Sequence, residues 1–288
     1  MATSTALGRT HEIDLPGGRI RYHETGEGPP VVFVHGLLVN ADLWRNVVPG
    51  IAAAGYRCLA PDWPLGAHSI PVPDADLTPT GVADLIAAFL ERLDLTDVTI
   101  VANDTGGAIT QVLMTRQPAR IGRVVLAAVD SYEGFLPAPF TALGWLGWVP
   151  GSLRPLLEAL RIRALHRTPL AFGLVVKRLP PREVVDSYVL PSRRSGGVRR
   201  DLRRFLKTAR KKYTLEAAKH FAGVEVPVLL VWAREDRVFP LAFAERLARD
   251  LPHATLQVVD DSYTLLPEDQ PELLTAAILE FTRLHATP

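Results

Sequence analysis

Short apolar runs rich in β-branched residues recur along the chain and alternate with longer segments whose apolar residues repeat at helical spacing. Runs this short and this apolar are typical of strands that a parallel sheet buries on both faces. Strands and helices in regular alternation predict right-handed βαβ units. We therefore expect an α/β fold, a mostly parallel central sheet flanked by helices, with strands at residues 31–34, 56–60, 98–101, 124–129, 228–232 and 255–259.

Amphipathic segments predict helices on both sides of this sheet. Asn40 is expected to cap a helix with an apolar face between residues 43 and 51, and similar faces occur over residues 82–93 and 268–284. Near the start of the chain, two short apolar segments flank Pro16-Gly17-Gly18. This pattern predicts an antiparallel hairpin at the edge of the sheet.

The strand–helix alternation stops between residues 131 and 214, where helical patterns and prolines occur without a clear strand. We interpret residues 131–214 as a helical cap inserted into one core domain, formed by residues 1–130 and 215–288. Residues 134–153 carry no charge, but Pro137, Pro139 and Pro150 interrupt them. Because proline breaks helices, an apolar, irregular lid over a pocket is favoured over a membrane-spanning helix.

The cap ends in a basic run over residues 193–212, which Asp201 alone relieves. One interpretation is an anionic partner or substrate. The other is a solvated helix face with Leu202, Phe205 and Leu206 turned inward, and the lack of interleaved aromatic residues favours it.

Composition excludes several classes of protein. The chain has 288 residues, of which 48% are hydrophobic and 22% charged, as in soluble globular proteins. The net charge of +1 predicts no nucleic-acid or membrane partner. Cys58 is the single cysteine, so no internal disulfide forms. The start of the chain does not look like a signal peptide, which favours the cytoplasm. No metal-ligand spacing and no phosphate-binding glycine loop is present, so we expect neither metal nor nucleotide cofactor.

The strongest chemical signal follows the predicted strand at residues 98–101. Ala102-Asn103-Asp104-Thr105-Gly106-Gly107 leads from that strand into a helical pattern. A strand, a tight turn of small residues and a helix make a nucleophile elbow, and Asp104 stands at its apex. The helix N-terminus also stabilises the negative charge of this carboxylate.

Other candidate residues follow neighbouring strands, where ligands of open parallel sheets bind. His35, Gly36 and Leu37 follow the strand at residues 31–34, and a glycine turn there can present backbone N–H groups to a developing anion. Asp130 and Asp236 follow two later strands. Either is a candidate for the acid that orients a catalytic base.

This set of features, in this order, resembles the α/β-hydrolase superfamily. The resemblance covers nearly the whole chain, from the hairpin to Pro267-Glu268-Asp269-Gln270-Pro271-Glu272. The aspartate at the elbow is similar to the haloalkane dehalogenase and epoxide hydrolase branch. The resemblance implies that the carboxylate displaces a halide or opens an epoxide, and that a histidine-activated water then hydrolyses the resulting ester. A carboxylate suits this role because it is ionised without a base.

The sequence departs from that branch at three positions. Thr264 stands where the family has its histidine, and a threonine cannot serve as a general base. Thr105 replaces the tryptophan that grips the halide after the nucleophile, and Leu37 replaces a polar halide-binding side chain. These departures weaken the expectation of dehalogenation.

Other side chains are candidates for the missing roles. His68 follows a strand on the correct edge, in a loop that could reach inward, and Trp63 in the same loop is expected at the substrate site. His35 is expected to support the oxyanion turn. Three tyrosines could reach from the cap to polarise a substrate oxygen, namely Tyr132, Tyr188 and Tyr213.

Three functions stay open on this basis. The first is a hydrolase in which Asp104 attacks a small, largely apolar substrate of the carbon–halogen, epoxide or ester type. The second is a lyase, isomerase or cyclase in which Asp104 is a general base with a pKa raised by burial. The third is a catalytically idle binding protein on a hydrolase scaffold. A homodimer is compatible with all three.

Overall fold

A computed structural model describes residues 4–169 and 171–286, and its centre is an eight-stranded sheet. The strands are β1 (Arg9–Leu15), β2 (Gly18–Thr25), β3 (Pro30–Val34), β4 (Arg57–Pro61), β5 (Val98–Asp104), β6 (Ile121–Val129), β7 (Val228–Ala233) and β8 (Ala254–Val259). Their spatial order is β1-β2-β4-β3-β5-β6-β7-β8. The antiparallel β1–β2 hairpin lies at one edge, and β3 to β8 are parallel. The expected mostly parallel α/β fold, its six strands and the edge hairpin are confirmed.

Eleven α-helices lie in the described ranges. They are α1 (Val48–Ala53), α2 (Pro79–Arg92), α3 (Thr105–Arg116), α4 (Thr141–Leu146), α5 (Leu153–Ala159), α6 (Arg182–Arg194), α7 (Gly196–Thr208), α8 (Lys212–Ala218), α9 (Leu241–Asp250), α10 (Leu266–Asp269) and α11 (Pro271–Leu284). The central strands β3, β5, β6 and β7 are mostly apolar and are buried along nearly their whole length. This explains why these four strands are continuous apolar runs in the sequence.

Two predicted helices are each divided in the structure. Asn40 caps a 3₁₀ turn over Ala41–Trp44, and α1 begins separately at Val48. Pro49 follows at the second position of α1, and a proline cannot continue a helix from the preceding turn because it lacks an N–H group. The helix expected over residues 268–284 is broken at Gln270, which is not helical because Pro271 follows it.

The helices α4 to α8 all lie between β6 and β7, and this stretch of the described chain contains no strand. The predicted cap at residues 131–214 falls in this stretch, and its division from the core stays a prediction. Within the described residues, no helix is long and apolar enough to cross a membrane. In α7 the apolar side chains of Leu202, Phe205 and Leu206 are buried. This matches the interpretation of the basic run as a solvated helix face.

Candidate active site

The turn between β5 and α3 holds Asp104 in a backbone conformation that non-glycine residues rarely adopt. Its φ is 53° and its ψ is −135°, which costs on the order of 1–3 kcal/mol. Two glycines make the sharp turn possible. A Cβ at Gly106 would lie 2.4 Å from the Val34 carbonyl oxygen, and one at Gly107 would lie 2.1 Å from Val129 Cγ1. The structure thus places Asp104 at the apex of an elbow.

Backbone N–H groups hold the carboxyl of Asp104. The N–H of Leu37 donates to Asp104 Oδ2 at 3.1 Å, and the N–H of Thr105 is a second donor. Gly36 leaves the space for this approach, because a Cβ there would lie 2.1 Å from the same oxygen. The turn after β3 therefore presents one N–H group of the kind that the sequence indicated, that of Leu37, and the Asp104 carboxylate itself occupies it.

His35 supports this turn from behind. Its Nδ1 donates to the Gly36 carbonyl oxygen at 2.9 Å, and its Nε2 accepts the Trp63 backbone N–H at 2.8 Å. Burial lowers the pKa of His35 to about 4, so the ring is neutral. Trp63 is itself fully buried and donates its indole N–H to the Phe33 carbonyl oxygen. Trp63 packs beneath the turn and is not among the residues of the cavity wall, and its expected contact with substrate stays a prediction.

Asp130 lies beside Asp104 at the end of the neighbouring strand, because Val129 is the β6 residue that pairs with Asp104. Its Oδ2 accepts the Thr105 hydroxyl at 2.9 Å and its Oδ1 accepts the Leu136 N–H at 2.8 Å. Burial, and then the charge of Asp104, raise the pKa of Asp130 well above its usual range.

Asp236 and Thr264 form a separate pair. Asp236 Oδ1 accepts the Thr264 hydroxyl at 2.8 Å and two backbone N–H groups, those of Val238 and Phe239. The Thr264 carbonyl oxygen accepts the side-chain amide of Asn103 at 2.8 Å. Burial raises the pKa of Asp236 to about 6. Thr264 thus contacts Asp236, one of the two candidates for the orienting acid, and offers that acid a hydroxyl group instead of an imidazole.

His68 lies away from this centre. Its Nε2 lies 3.3 Å from Asp201 Oδ2 in α7, and its Nδ1 accepts the Gly66 N–H. Both His68 and Asp201 are buried, and His68 does not line the cavity. The His68 loop therefore does not extend inward to Asp104 as expected, because the His68 ring contacts Asp201 of α7.

A cavity covers Asp104, and the centre of a water molecule can occupy about 90 Å³ of it. Its floor consists of residues that follow the carboxyl ends of five parallel strands, and its roof comes from the segment between β6 and β7. The polar residues of its wall are Asp104, Thr105, Asp130 and Tyr188; the apolar ones are Leu37, Leu38, Val39, Leu136, Pro137, Phe140, Leu143, Leu157, Leu160, Ala171, Phe172, Val175, Val189, Val238, Phe239 and Leu265. The site thus suits a small apolar molecule with one polar reactive group.

The tyrosines expected to reach from the cap differ in position. Tyr188 lines the cavity, but its hydroxyl donates to Glu268 Oε1 at 2.8 Å. Tyr132 donates to Asp250 and Tyr213 is not in the wall. In the described part of the chain, no histidine lines the cavity and no cluster of side chains fits a metal ion.

The residues that form the roof, and one residue that supports the elbow, were not predicted from the sequence. The uncharged stretch at residues 134–153 signals a lid, yet its contacts with the cavity, through Leu136, Phe140 and Leu143, depend on how it folds back. Asn103 donates to the carbonyl oxygens of Ala127 and Thr264 and so ties the elbow to the loop after β8. A polar residue at the end of an apolar strand was the available signal.

A carboxyl elbow at the end of a parallel sheet, under a helical roof, defines an α/β-hydrolase architecture. The chain belongs to the α/β-hydrolase fold family, which matches residues 29–271. It is 26% identical over 269 residues to the uncharacterized hydrolase YugF of Bacillus subtilis, covering 91% of this chain and 94% of that protein.

Two further comparisons place haloalkane and oxetanone enzymes among the similar proteins. The cis-3-alkyl-4-alkyloxetan-2-one decarboxylase of Shewanella oneidensis is 27% identical over 282 residues, covering 93% of this chain and 86% of that protein. The structure of the haloalkane dehalogenase DbeA from Bradyrhizobium elkani superposes with a TM-score of 0.80 at 22% identity, covering 96% of this chain and 98% of that one. At 22% identity, the similarity to DbeA shows a shared fold and no more.

Proposed function

We propose that the protein is an α/β-hydrolase-fold enzyme in which Asp104 is the nucleophile. Its substrate is a small apolar molecule of the carbon–halogen, epoxide or ester type, bound beneath the helical cap. The observation that carries this proposal is the placement of the Asp104 carboxyl, whose Oδ2 accepts a hydrogen bond from the Leu37 N–H and which lies in the wall of an apolar cavity. We call this placement the seat of Asp104.

The seat suits a two-step reaction. With Oδ2 held by the Leu37 N–H, the other oxygen of Asp104 is the atom that attacks a carbon of the substrate, and an ester forms on the enzyme. When water later attacks the ester carbonyl carbon, the negative charge develops on an oxygen that backbone N–H groups already face. Donors placed in advance in this way stabilise a transition state without having to reorganise.

The charge state of Asp104 sets how fast the first step runs. Burial raises the pKa of Asp104 to about 7, and the neighbouring Asp236 adds to the rise. A carboxylate must be ionised to attack. Ester formation is therefore expected to accelerate as the pH increases through about 7.

The second step lacks the usual base. Thr264 has no useful basicity, and Asp236 behind it does not line the cavity. Hydrolysis of the ester is therefore expected to be the slow step, and the ester should accumulate.

Intact-mass measurement tests the proposal. The protein is incubated with 1-bromohexane or 1,2-epoxyhexane, and Asp104→Asn is the matched control because it keeps the size of the side chain and removes the carboxylate. We expect a covalent adduct, mapped to Asp104 by peptide sequencing, that the control lacks. Absence of both adduct and turnover with every such reagent would contradict the proposal.

A second candidate is a non-hydrolytic lyase in which Asp104 is a general base or an electrostatic anchor. The absence of a histidine from the described cavity wall favours it, because a lyase has no ester to hydrolyse. A relative that matches over most of its length is named as an oxetan-2-one decarboxylase. Release of carbon dioxide and an alkene from a cis-3,4-dialkyl oxetan-2-one, with one carboxyl controlling the pH–rate profile and no adduct, would support this candidate over the first.

A further inference from the structure

We infer that Asp130 is the proton donor of this site, and that the site accepts substrates whose leaving group is an oxygen atom, such as an epoxide or a strained cyclic ester, in preference to alkyl halides. The inference rests on the proposed function, because it takes Asp104 as the attacking group. It concerns the other half of the reaction, namely what happens to the atom that leaves.

Position is the first argument. Asp130 follows the β6 residue that pairs with Asp104, and both side chains lie in the wall of the same cavity. Thr105 connects them, since its N–H faces Asp104 and its hydroxyl donates to Asp130 Oδ2. A group bonded to Asp104 therefore lies within the space that Asp130 borders.

Charge is the second argument. No ion pair among the described residues includes Asp104 or Asp130, and the donors around Asp130 are one backbone N–H and one hydroxyl. Two buried carboxylates that share a site without a cation do not both ionise. Asp104 has the backbone donors of Leu37 and Thr105, so the negative charge belongs there and the proton belongs on Asp130.

The described cavity wall offers no other side-chain proton donor that is free. Tyr188 is the single tyrosine in the described wall, and its hydroxyl already donates to Glu268. No side-chain N–H group lines the described cavity, and the Leu37 N–H is occupied by Asp104. A departing halide would thus find no side-chain N–H to stabilise it, whereas a departing oxygen finds an acid.

The proton of Asp130 completes the reaction of an epoxide. An Asp104 oxygen bonds to a ring carbon while the bond from that carbon to the ring oxygen breaks, and the electron pair stays on the oxygen. The Asp130 proton transfers to this oxygen, which gives a hydroxyl group on the bound alkyl ester and leaves Asp130 as a carboxylate.

The same group then serves the second step. Asp130 takes a proton from water as the water oxygen bonds to the ester carbonyl carbon of Asp104. The bond from that carbon to the alkoxy oxygen breaks, and the departing oxygen takes the proton of the newly formed Asp104 carboxylic acid. The sum is one epoxide and one water converted to one diol, with both carboxyls restored. A halide leaves as an anion without taking a proton, so the Asp130 proton does not accelerate its departure.

A comparison of two reagents of equal chain length tests the inference. Rates of adduct plus product formation are measured with 1,2-epoxyhexane and with 1-bromohexane for the wild type and for Asp130→Asn. The two adducts differ in mass, because the epoxide adds as a whole molecule and the bromide adds only its alkyl group. Asp201→Asn is the matched control, since Asp201 is equally buried but lies outside the cavity wall.

We expect the wild type to react faster with the epoxide. Asp130→Asn should slow the epoxide reaction at least about 100-fold, the usual size of a general-acid contribution, and change the bromide reaction only a few-fold. Asp201→Asn should leave the ratio of the two rates unchanged. Equal losses with both reagents in Asp130→Asn, or a wild type that prefers the bromide, would overturn the inference while leaving Asp104 as nucleophile. No reaction with either reagent would instead contradict the proposed function, and this inference with it.

Discussion

The position of the Asp104 carboxyl depends on three neighbouring residues that have no side chain. Glycines at positions 36, 106 and 107 each stand where a Cβ would collide with another group, and the group at Gly36 is the Asp104 carboxyl itself. A single methyl group added at one of these glycines should therefore displace the reactive carboxyl without replacing any reactive group.

Gly36→Ala is expected to displace the Asp104 carboxyl from the Leu37 N–H. The new Cβ would lie 2.1 Å from Asp104 Oδ2, and losing one such donor costs about 100-fold in the rate of ester hydrolysis, the step in which negative charge develops on that oxygen. The measurement is the rate at which the Asp104 ester disappears, followed by intact mass. Gly223→Ala is the control, because a Cβ there meets nothing within 4 Å. A Gly36→Ala rate equal to that of wild type would show that the seat is not needed.

Thr264→Val separates a structural role of this hydroxyl from a chemical one. Removing the donor to Asp236 Oδ1 should lower the free energy of unfolding by about 1–2 kcal/mol, as measured by urea denaturation. Ester formation on Asp104 should change little, because Thr264 does not line the cavity. Thr275→Val, which removes a hydroxyl bonded within α11, is the control. A large loss of reactivity without a loss of stability would give Thr264 a part in the chemistry.

At the scale of elements, the roof is fastened to the core by buried polar contacts. Asp201 of α7 accepts the Val72 N–H at 2.8 Å and lies 3.3 Å from His68. Ser192 of α6 donates to the Gly66 carbonyl oxygen, and Asn40 donates to the Ser187 carbonyl oxygen at 3.0 Å. These contacts hold α6 and α7 against the loop after β4 and the turn after β3.

Asp201→Ala should loosen the roof. The change leaves the Val72 N–H and the His68 ring without their buried partner, which costs about 1–3 kcal/mol. Urea denaturation and amide hydrogen exchange in α7 report the loss. Asp186→Ala is the control, since that carboxylate is half exposed on α6 and, among the residues that the structure describes, pairs with Arg182 alone. Equal stability of the two variants would mean that Asp201 does not fasten α7.

For the molecule as a whole, buried carboxyls around one cavity make stability depend on pH. The pKa of Asp104 is raised to about 7 and that of Asp236 to about 6, and Asp130 is raised as well. Between about pH 4 and 7 the folded protein keeps protons that the unfolded chain releases. By proton linkage, the free energy of unfolding falls as the pH rises through this window.

Asp104→Asn removes one of the three carboxyls that cause this dependence and keeps the size of the side chain. At pH 8 the variant should be more stable than wild type, because it has no carboxylate to bury, and the difference should shrink as the pH falls toward 4. Each pKa unit corresponds to about 1.4 kcal/mol. Urea denaturation across this pH range gives the comparison. Parallel curves for variant and wild type would show that Asp104 is not titrating abnormally.

The linear sequence determined the sheet, the elbow and the turn that faces it. Apolar runs predict strands because a strand buried on both faces needs apolar side chains at every position. Glycines at positions 106 and 107 mark the elbow because no larger side chain fits there. These are local requirements, so they can be recognised from neighbouring residues alone. The division of helices at Pro49 and Gln270 was equally local and could have been foreseen.

Tertiary structure alone decided which candidate side chains meet. His68, Trp63, Asp130 and Asp236 all follow strands at the same edge of the sheet, yet only Asp130 reaches the cavity wall with Asp104. His68 is bound to Asp201, which lies 133 positions further along the chain, and Tyr188 to Glu268, which lies 80 positions further along. Partners so distant in sequence are chosen by the packing of the roof on the core, and no spacing along the chain records that choice.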